Sequence, residues 1–328
     1  MDDTLSSPAP AIIWVVSDGR RGIENQALGL AEAVQRRTHA SADKGTGAEI
    51  HKVVVRKDRY VTLPDSPPPD LWIGCGRAAI PLVRKHRQIF PDCCFVYVQD
   101  PRTQYNEFDL ILAPEHDRLR KPNAISMIGS PNRITPDQLN TARQDFAAQI
   151  EALPGPRAAI LIGGKSKRFE MTGEIQDYLL GRLHQLYDQG IALMITVSRR
   201  TPDAVAERLR ESFKDRERVW FFDGEGENPY FAFLAAADWI FVTEESTNML
   251  VEAAATGHPV YALPMAGEPG KFACLHAALE GHGALKPYLG QLQRWSYPPL
   301  FETDRVADIV LRRWRAMSQS GAKMETRA

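Results

Sequence analysis

Four polar clusters hold the side chains able to do chemistry, and each follows a short apolar run. The densest is Thr243-Glu244-Glu245-Ser246-Thr247-Asn248, with Glu252 beyond it. Ser246 or Thr247 can cap a helix that carries Met249, Leu250, Val251, Ala253 and Ala254. The start of such a helix offers unpaired N–H groups and the positive end of its dipole, which suits a phosphate. Glu252 lies about two turns in, at ~3.6 residues per turn. A carboxylate there reaches the hydroxyls of a ribose lying across the helix start.

The second cluster is Gly163-Gly164-Lys165-Ser166-Lys167-Arg168. Its backbone N–H groups and three cations suit a phosphate-bearing or sugar ligand. The spacing GxxxxGK[ST] is absent, which excludes a P-loop ATPase. The third is Ser198-Arg199-Arg200, a further source of positive charge. The fourth is Asp18-Gly19-Arg20-Arg21-Gly22 with Glu24, Asn25 and Gln26. It is not the GxGxxG fingerprint, so no nicotinamide or flavin cofactor is expected. Asp18 is the first candidate for a general base and Glu24 the second. An Asx turn is the competing role for Asp18. Asn25 and Gln26 can orient hydroxyls, since amides both donate and accept.

These clusters need strands and helices in alternation, and the chain supplies them. Trp239 to Val242 and Val260 to Leu263 read as buried parallel strands around the helix that Gly257 ends. Ala11 to Val16 is a first strand and Ile23 to Arg37 a helix, with Gly19 and Gly22 in a turn between them. Strands follow at Ile50 to Val55, Asp70 to Ile73, Phe95 to Val98, Phe108 to Ala113 and Asn123 to Ile128. One helix is expected from Thr135 to Ile150. A second series begins at the strand Arg157 to Ile162, after Leu153-Pro154-Gly155-Pro156. In it Thr201 is expected to cap a helix with Pro202 in its first turn. Asp223 to Asn228 forms an acidic loop, and Gly281 to Pro299 is irregular. A last helix spans Thr303 to Met317, and the tail SGAKMETRA is read as disordered, like residues 1–10.

The expected fold is therefore α/β, two Rossmann-like parallel-sheet domains facing a cleft. The expected domains are 1–152 on the acceptor side, 153–302 on the donor side, and a C-terminal helix over 303–328 that packs back on the first. Ligands of open parallel sheets sit beyond the carboxyl ends of strands.

The totals restrict function further. The net charge of -1 over 328 residues leaves no broad basic field for nucleic acid. Cys75, Cys93, Cys94 and Cys274 show neither CxxC spacing nor a nearby His cluster, so no zinc site or disulfide framework is expected. Reduced thiols and a cytoplasmic location follow. The acidic start MDDTLSSPAPAIIWVV has no basic n-region, and its apolar run is too short for a signal or a span. Two basic runs, Arg84 to Arg87 and Arg118 to Lys121, carry an expectation of peripheral membrane contact at its inner face.

The layout resembles the GT-B glycosyltransferases and the related sugar-nucleotide epimerases. VSDGRRGIENQALGLAEA, ILIGGKSKRFEMT, TVSRRTP and NPYFAFLAAADWIFVTEESTNMLVEAAATGHPVYALP resemble the mitochondrial-fission family named for elongated mitochondria in plants. Bacterial members of that family are catalogued as glycosyltransferases. The resemblance implies metal-independent transfer of a sugar from a nucleotide diphosphate sugar to a lipid-linked or surface-glycan acceptor. No DxD motif is present to carry a metal. Lys165, Lys167, Arg168, Arg199 or Arg200, with the helix after Thr243, would offset the leaving diphosphate. A non-catalytic adaptor, like the plant members, and a nucleotide-sugar epimerase are the alternatives. A more distant likeness to the N-acetylglucosaminyltransferase of peptidoglycan synthesis gives Glu252 the ribose role. That enzyme's serine-glycine is replaced here by Glu245-Ser246. The His in that enzyme's first glycine-rich loop is missing here, and Ile23 is the nearest match.

Overall fold

The computed structural model describes residues 10–41, 47–56, 61–222 and 224–325. Asp223, residues 1–9 of the lead, residues 42–46 of the first long loop and residues 326–328 of the tail lie outside them. The strands are β1 (Ala11–Ser17), β2 (Ala48–Val54), β3 (Leu71–Cys75), β4 (Cys94–Val98), β5 (Leu110–Pro114), β6 (Ala124–Met127), β7 (Arg157–Ile162), β8 (Phe169–Glu170), β9 (Ala192–Val197), β10 (Val219–Phe222), β11 (Trp239–Thr243), β12 (Val260–Leu263), β13 (Ala266–Gly267) and β14 (Leu285–Pro287). The helices are α1 (Arg21–Ser41), α2 (Ile80–Ile89), α3 (Pro136–Asp145), α4 (Ala147–Glu151), α5 (Gly173–Asp188), α6 (Asp203–Phe213), α7 (Tyr230–Ala236), α8 (Thr247–Ala254), α9 (Ala273–Gly281) and α10 (Glu302–Glu325). Two compact units result. One is Met1–Arg133 with Phe301–Ala328, the other Ile134–Leu300.

In the first unit six parallel strands run in the order β2-β1-β3-β4-β5-β6. β1 shows why its sequence is apolar without a break. Ile13 and Val15 enter one core, while Ile12, Trp14 and Val16 enter the other. A strand alternates its side chains between faces, so a sheet covered on both sides needs apolar residues throughout. α1 and α10 cover the first face with Leu30, Val34, Val306 and Val310. α2 covers the second with Ile80 and Val83. α10 continues past Met317 to Glu325, so the expected disordered tail is helical over 320–325. The stretch contains no proline to stop it. α1 begins at Arg21, which places Gly22 in the helix and leaves Gly19, with φ +72°, as the turn residue.

The basic run in α2 is not a free cationic patch. His86 is buried and accepts a hydrogen bond from the Trp72 indole at 3.0 Å. Arg84 pairs with Glu107 at 2.9 Å and Arg87 with Asp109 at 2.7 Å. A helix turns ~3.6 residues per turn, so consecutive cations cannot share one face. Among the described residues no helix is long and apolar enough to cross a membrane.

The second unit repeats the plan in the order β10-β9-β7-β11-β12-β14, again parallel throughout. β14 lies in the stretch expected to be irregular. It joins the edge beside β12, where Pro287 lacks an N–H at little cost. The helix expected from Thr135 to Ile150 is broken at Phe146, with φ -108° and ψ 22°. Its ring packs on Trp220 with centroids 5.7 Å apart. β8 and β13 form a small antiparallel ribbon joining the loops that follow β7 and β12.

Candidate functional site

The strand order of the second sheet reverses between β7 and β11, because the chain leaves β7 to one side and returns on the other. Two loops diverge at such a point and open a crevice at the carboxyl ends of the strands. Here these loops are Gly163 to Arg168 after β7 and Glu244 to Ser246 after β11.

The loops are stitched together at their base. The Thr243 hydroxyl oxygen accepts the Gly163 N–H at 2.7 Å, and Glu245 Oε1 accepts the Gly164 N–H at 2.8 Å. Both glycine N–H groups expected to face a phosphate therefore already have acceptors. The Thr201 hydroxyl lies 2.6 Å from the Gly163 carbonyl and 3.2 Å from the Ile162 carbonyl. Thr201 is thus not the helix cap expected from sequence. Pro202 stands in that place and α6 begins at Asp203. Ser198 closes the same turn through the Thr201 hydroxyl at 3.0 Å.

Close approach dictates the glycines. A Cβ on Gly163 would lie 1.7 Å from Glu245 Oε1, and one on Gly164 would lie 2.0 Å from the Arg200 carbonyl oxygen. Neither has a positive φ, so space and not backbone conformation requires glycine here.

Above this base is a cavity of about 460 Å³, lined by Ser166, Lys167, Arg168, Arg200, Glu245, Ser246, Thr247, Asn248, Lys271 and Phe272. Four of these side chains are cations. Ser246 is the N-cap of α8 but makes no side-chain capping bond. The uncapped helix start and the cations favour an anionic ligand. Glu245 is the exception. Its side chain is 0% exposed, and Arg200 Nη2 lies 3.7 Å from its Oε1. Burial raises its pKa, opposed by hydrogen bonds from Thr243 and Gly164 and by the Arg200 charge.

Several expected site residues are elsewhere. Lys165 pairs with Glu170 at 2.8 Å. Arg199 is exposed and does not line the cavity. Glu244 accepts the Met265 N–H at 2.8 Å, which pins β11 to the segment after β12. Glu252 is half-buried in α8 and accepts a 2.6 Å hydrogen bond from the Tyr230 hydroxyl. Burial pushes its pKa up to about 7, although the Tyr230 bond opposes the rise.

In the first unit the order reverses between β1 and β3. Asp18 makes the Asx turn. Its carboxylate accepts the Arg20 N–H at 3.1 Å and the Arg20 guanidinium at 2.7 Å. Burial would raise its pKa, but these Arg20 contacts outweigh it and hold the group below its usual value. Glu24 pairs with Lys52 at 2.8 Å. Asn25 is half-buried in α1. Gln26 is buried and accepts from the Gln99 amide at 2.9 Å, which ties α1 to the residue that follows β4. Gln99 itself has φ +88°, an uncommon backbone for a non-glycine residue.

Sequence reading missed Lys271, Phe272 and Tyr230. The first two follow β12, neighbour of β11, so the rule of polar loops at strand ends could have found them. Tyr230 carries no such signal, because its partner Glu252 is 22 residues away and only the packing of α7 brings it near.

The family described as "Mitochondrial fission ELM1" matches residues 21–314. A relative named mitochondrial fission protein ELM1, from Arabidopsis thaliana, is 26% identical over an alignment of 279 residues that covers 77% of this chain. The match spans 65% of that relative's length. A protein of Rickettsia prowazekii (strain Madrid E) called uncharacterized protein RP120 is 26% identical over 349 residues, covering 91% of this chain and 97% of that one. Among solved structures, UDP-GlcNAc 2-epimerase from Methanocaldococcus jannaschii superposes with a TM-score of 0.55 at 11% identity, over 93% of this chain and all of the other. A UDP-N-acetylglucosamine 2-epimerase structure from Listeria monocytogenes gives 0.55 at 12% identity, over 94% and 91%. At such identities the likeness concerns the fold, two Rossmann-like parallel-sheet domains of the GT-B type. With the match running through both sheets, from the start of α1 into α10, the chain belongs to the mitochondrial fission ELM1 family.

Proposed function

We propose that the second unit binds a nucleotide diphosphate sugar, and that the protein transfers the sugar to a lipid-linked or glycan acceptor. The cavity at the β7–β11 reversal carries this reading, because it joins Lys167, Arg168, Arg200 and Lys271 to an uncapped helix start. In the reaction an acceptor hydroxyl oxygen bonds to the anomeric carbon. The bond from that carbon to the diphosphate oxygen breaks, and the hydroxyl proton passes to a base. The cations and the α8 start offset the charge left on the diphosphate. Glu252 and Tyr230 receive the ribose in this reading, as a joined acceptor and donor. The fold neighbours support the ligand class, since M. jannaschii UDP-GlcNAc 2-epimerase has been solved with UDP-GlcNAc and UDP.

A second reading, ligand binding without catalysis, is favoured by one observation. Asp18 and Glu24, the two candidate bases, are both engaged with cations. Asp18, held below its usual pKa by Arg20, is thereby a weaker base.

Calorimetric titration with UDP, GDP, ADP, CMP and their sugars, with and without EDTA, tests the donor site. One nucleotide should bind, unaffected by EDTA. Arg200→Ala should weaken it roughly tenfold, the low end for a charged hydrogen bond because this side chain is half exposed. No binding of any member at millimolar concentration would overturn the reading. Binding of a nucleotide sugar with neither sugar transfer nor sugar release would favour the second reading.

A further inference from the structure

Glu245 sets a problem for any anion in this cavity. Its side chain is 0% exposed. Oε1 accepts the Gly164 N–H at 2.8 Å, while Oε2 is buried with no hydrogen-bond partner. Burying an unpaired charge is costly, and burying one beneath a phosphate is costlier still. The carboxylate cannot turn away easily. Gly163 is packed so close that a Cβ there would lie 1.7 Å from Oε1. Arg200 is the cation nearest to it, at 3.7 Å.

We propose that Glu245 takes up a proton when the cavity binds an anion. This rests on the reading above, that the cavity takes a nucleotide diphosphate. The proton comes from solvent and sits on Oε2, because Oε1 is held by Gly164. Glu245 then stands as a neutral group under the ligand, and Arg200 is released from it to the anion. Glu245 acts here as a positioning residue and not as a catalytic one. The raised pKa has the same sense, since burial already favours the neutral form.

The other charged groups around it do not imitate this titration. Lys167 and Arg168 come from the β7 loop, Arg200 from the β9 loop and Lys271 from the segment before α9. All four are lysines or arginines, so Glu245 is the one carboxylate among the side chains lining the cavity. Glu244 is turned to the Met265 N–H, and His276 of α9 lies 2.9 Å from the Glu244 carbonyl.

The test is calorimetric titration with UDP-GlcNAc and UDP at pH 7 to 9, in buffers of different ionisation enthalpy. UDP-GlcNAc has no phosphate group that titrates in this range. The wild type should take up close to one proton per ligand, and its Kd should weaken by up to tenfold per pH unit. E245Q keeps the acceptor for Gly164 and stays neutral, so its Kd should not change with pH and its proton uptake should vanish. The wild-type proton count needs no variant, so the test survives if E245Q fails to fold. Binding with no proton uptake and a constant Kd overturns this inference alone. No heat at any pH with these two or with GDP, ADP, CMP and their sugars overturns both this inference and the donor-site reading.

Discussion

Alanine at position 164 should lower the urea midpoint sharply, with a stability loss of about 3 kcal/mol, the upper end for overpacking. The new Cβ would lie 2.0 Å from the Arg200 carbonyl oxygen, 2.2 Å from its carbon and 2.5 Å from the Thr201 nitrogen. These are backbone atoms and cannot swing aside as a side chain can. The β7 and β9 loops must separate. That strains the Gly164 bond to Glu245 and the Thr201 bond to Gly163, each worth about 1 kcal/mol. Gly181 is the control. It lies within α5, and a Cβ there meets nothing within 4 Å. Gly181→Ala should raise stability by about 0.5–1 kcal/mol through helix propensity. Equal urea midpoints for the two variants, at unchanged m, would show that the loops are not in contact as described. Nucleotide affinity should fall with Gly164→Ala and stay unchanged with Gly181→Ala, which lies outside the cavity lining.

The second large effect is on stability against pH. The Glu252 carboxyl titrates at about 7 in the folded protein, against 4.5 as its ordinary value. A raised carboxyl pKa means that the folded protein holds the proton more tightly than the unfolded chain. The stability this confers is present in full below about pH 4.5 and is lost as pH rises to about 7. One pKa unit corresponds to about 1.4 kcal/mol, so the loss comes to about 2–3 kcal/mol once partial exposure is allowed for. Glu252→Gln should therefore exceed the wild type by that amount at pH 8 and match it near pH 4.5. Gln keeps an oxygen to accept the Tyr230 hydroxyl. Urea midpoints of the two proteins across this range decide the matter, and parallel curves would sink the claim. If Glu252 also receives a ribose, Glu252→Gln gains stability at pH 8 while it loses nucleotide affinity. A residue serving only the fold would not separate the two.

These effects show which parts of the protein were legible in its sequence. Unbroken apolar runs such as those of β1 and β11 determine a parallel sheet covered on both faces, because side chains alternate between two buried layers. Polar and glycine-bearing segments at strand ends determine where a ligand meets such a sheet. β14 escaped notice because a three-residue edge strand containing proline has no periodicity to read. The break at Phe146 escaped because nothing in its neighbours' propensities signals it, and its ring is held by Trp220 from a distant strand.

Around the cavity, sequence alone named the loops and their chemistry: the cations Lys167, Arg168 and Arg200, the α8 start and the carboxylate Glu245, with Glu252 further along α8 and outside the cavity lining. Only the tertiary structure decided what each carboxylate faces. Glu245 meets Gly164, 81 residues away, and Glu252 meets Tyr230, 22 residues away. It also decided that Gly163 and Gly164 are required by close packing, since their N–H groups already serve Thr243 and Glu245. Residue type fixes what a group can donate, accept or titrate. The partner and the burial that set its state come from elements far apart in the chain, and those meet only when the sheet orders its strands.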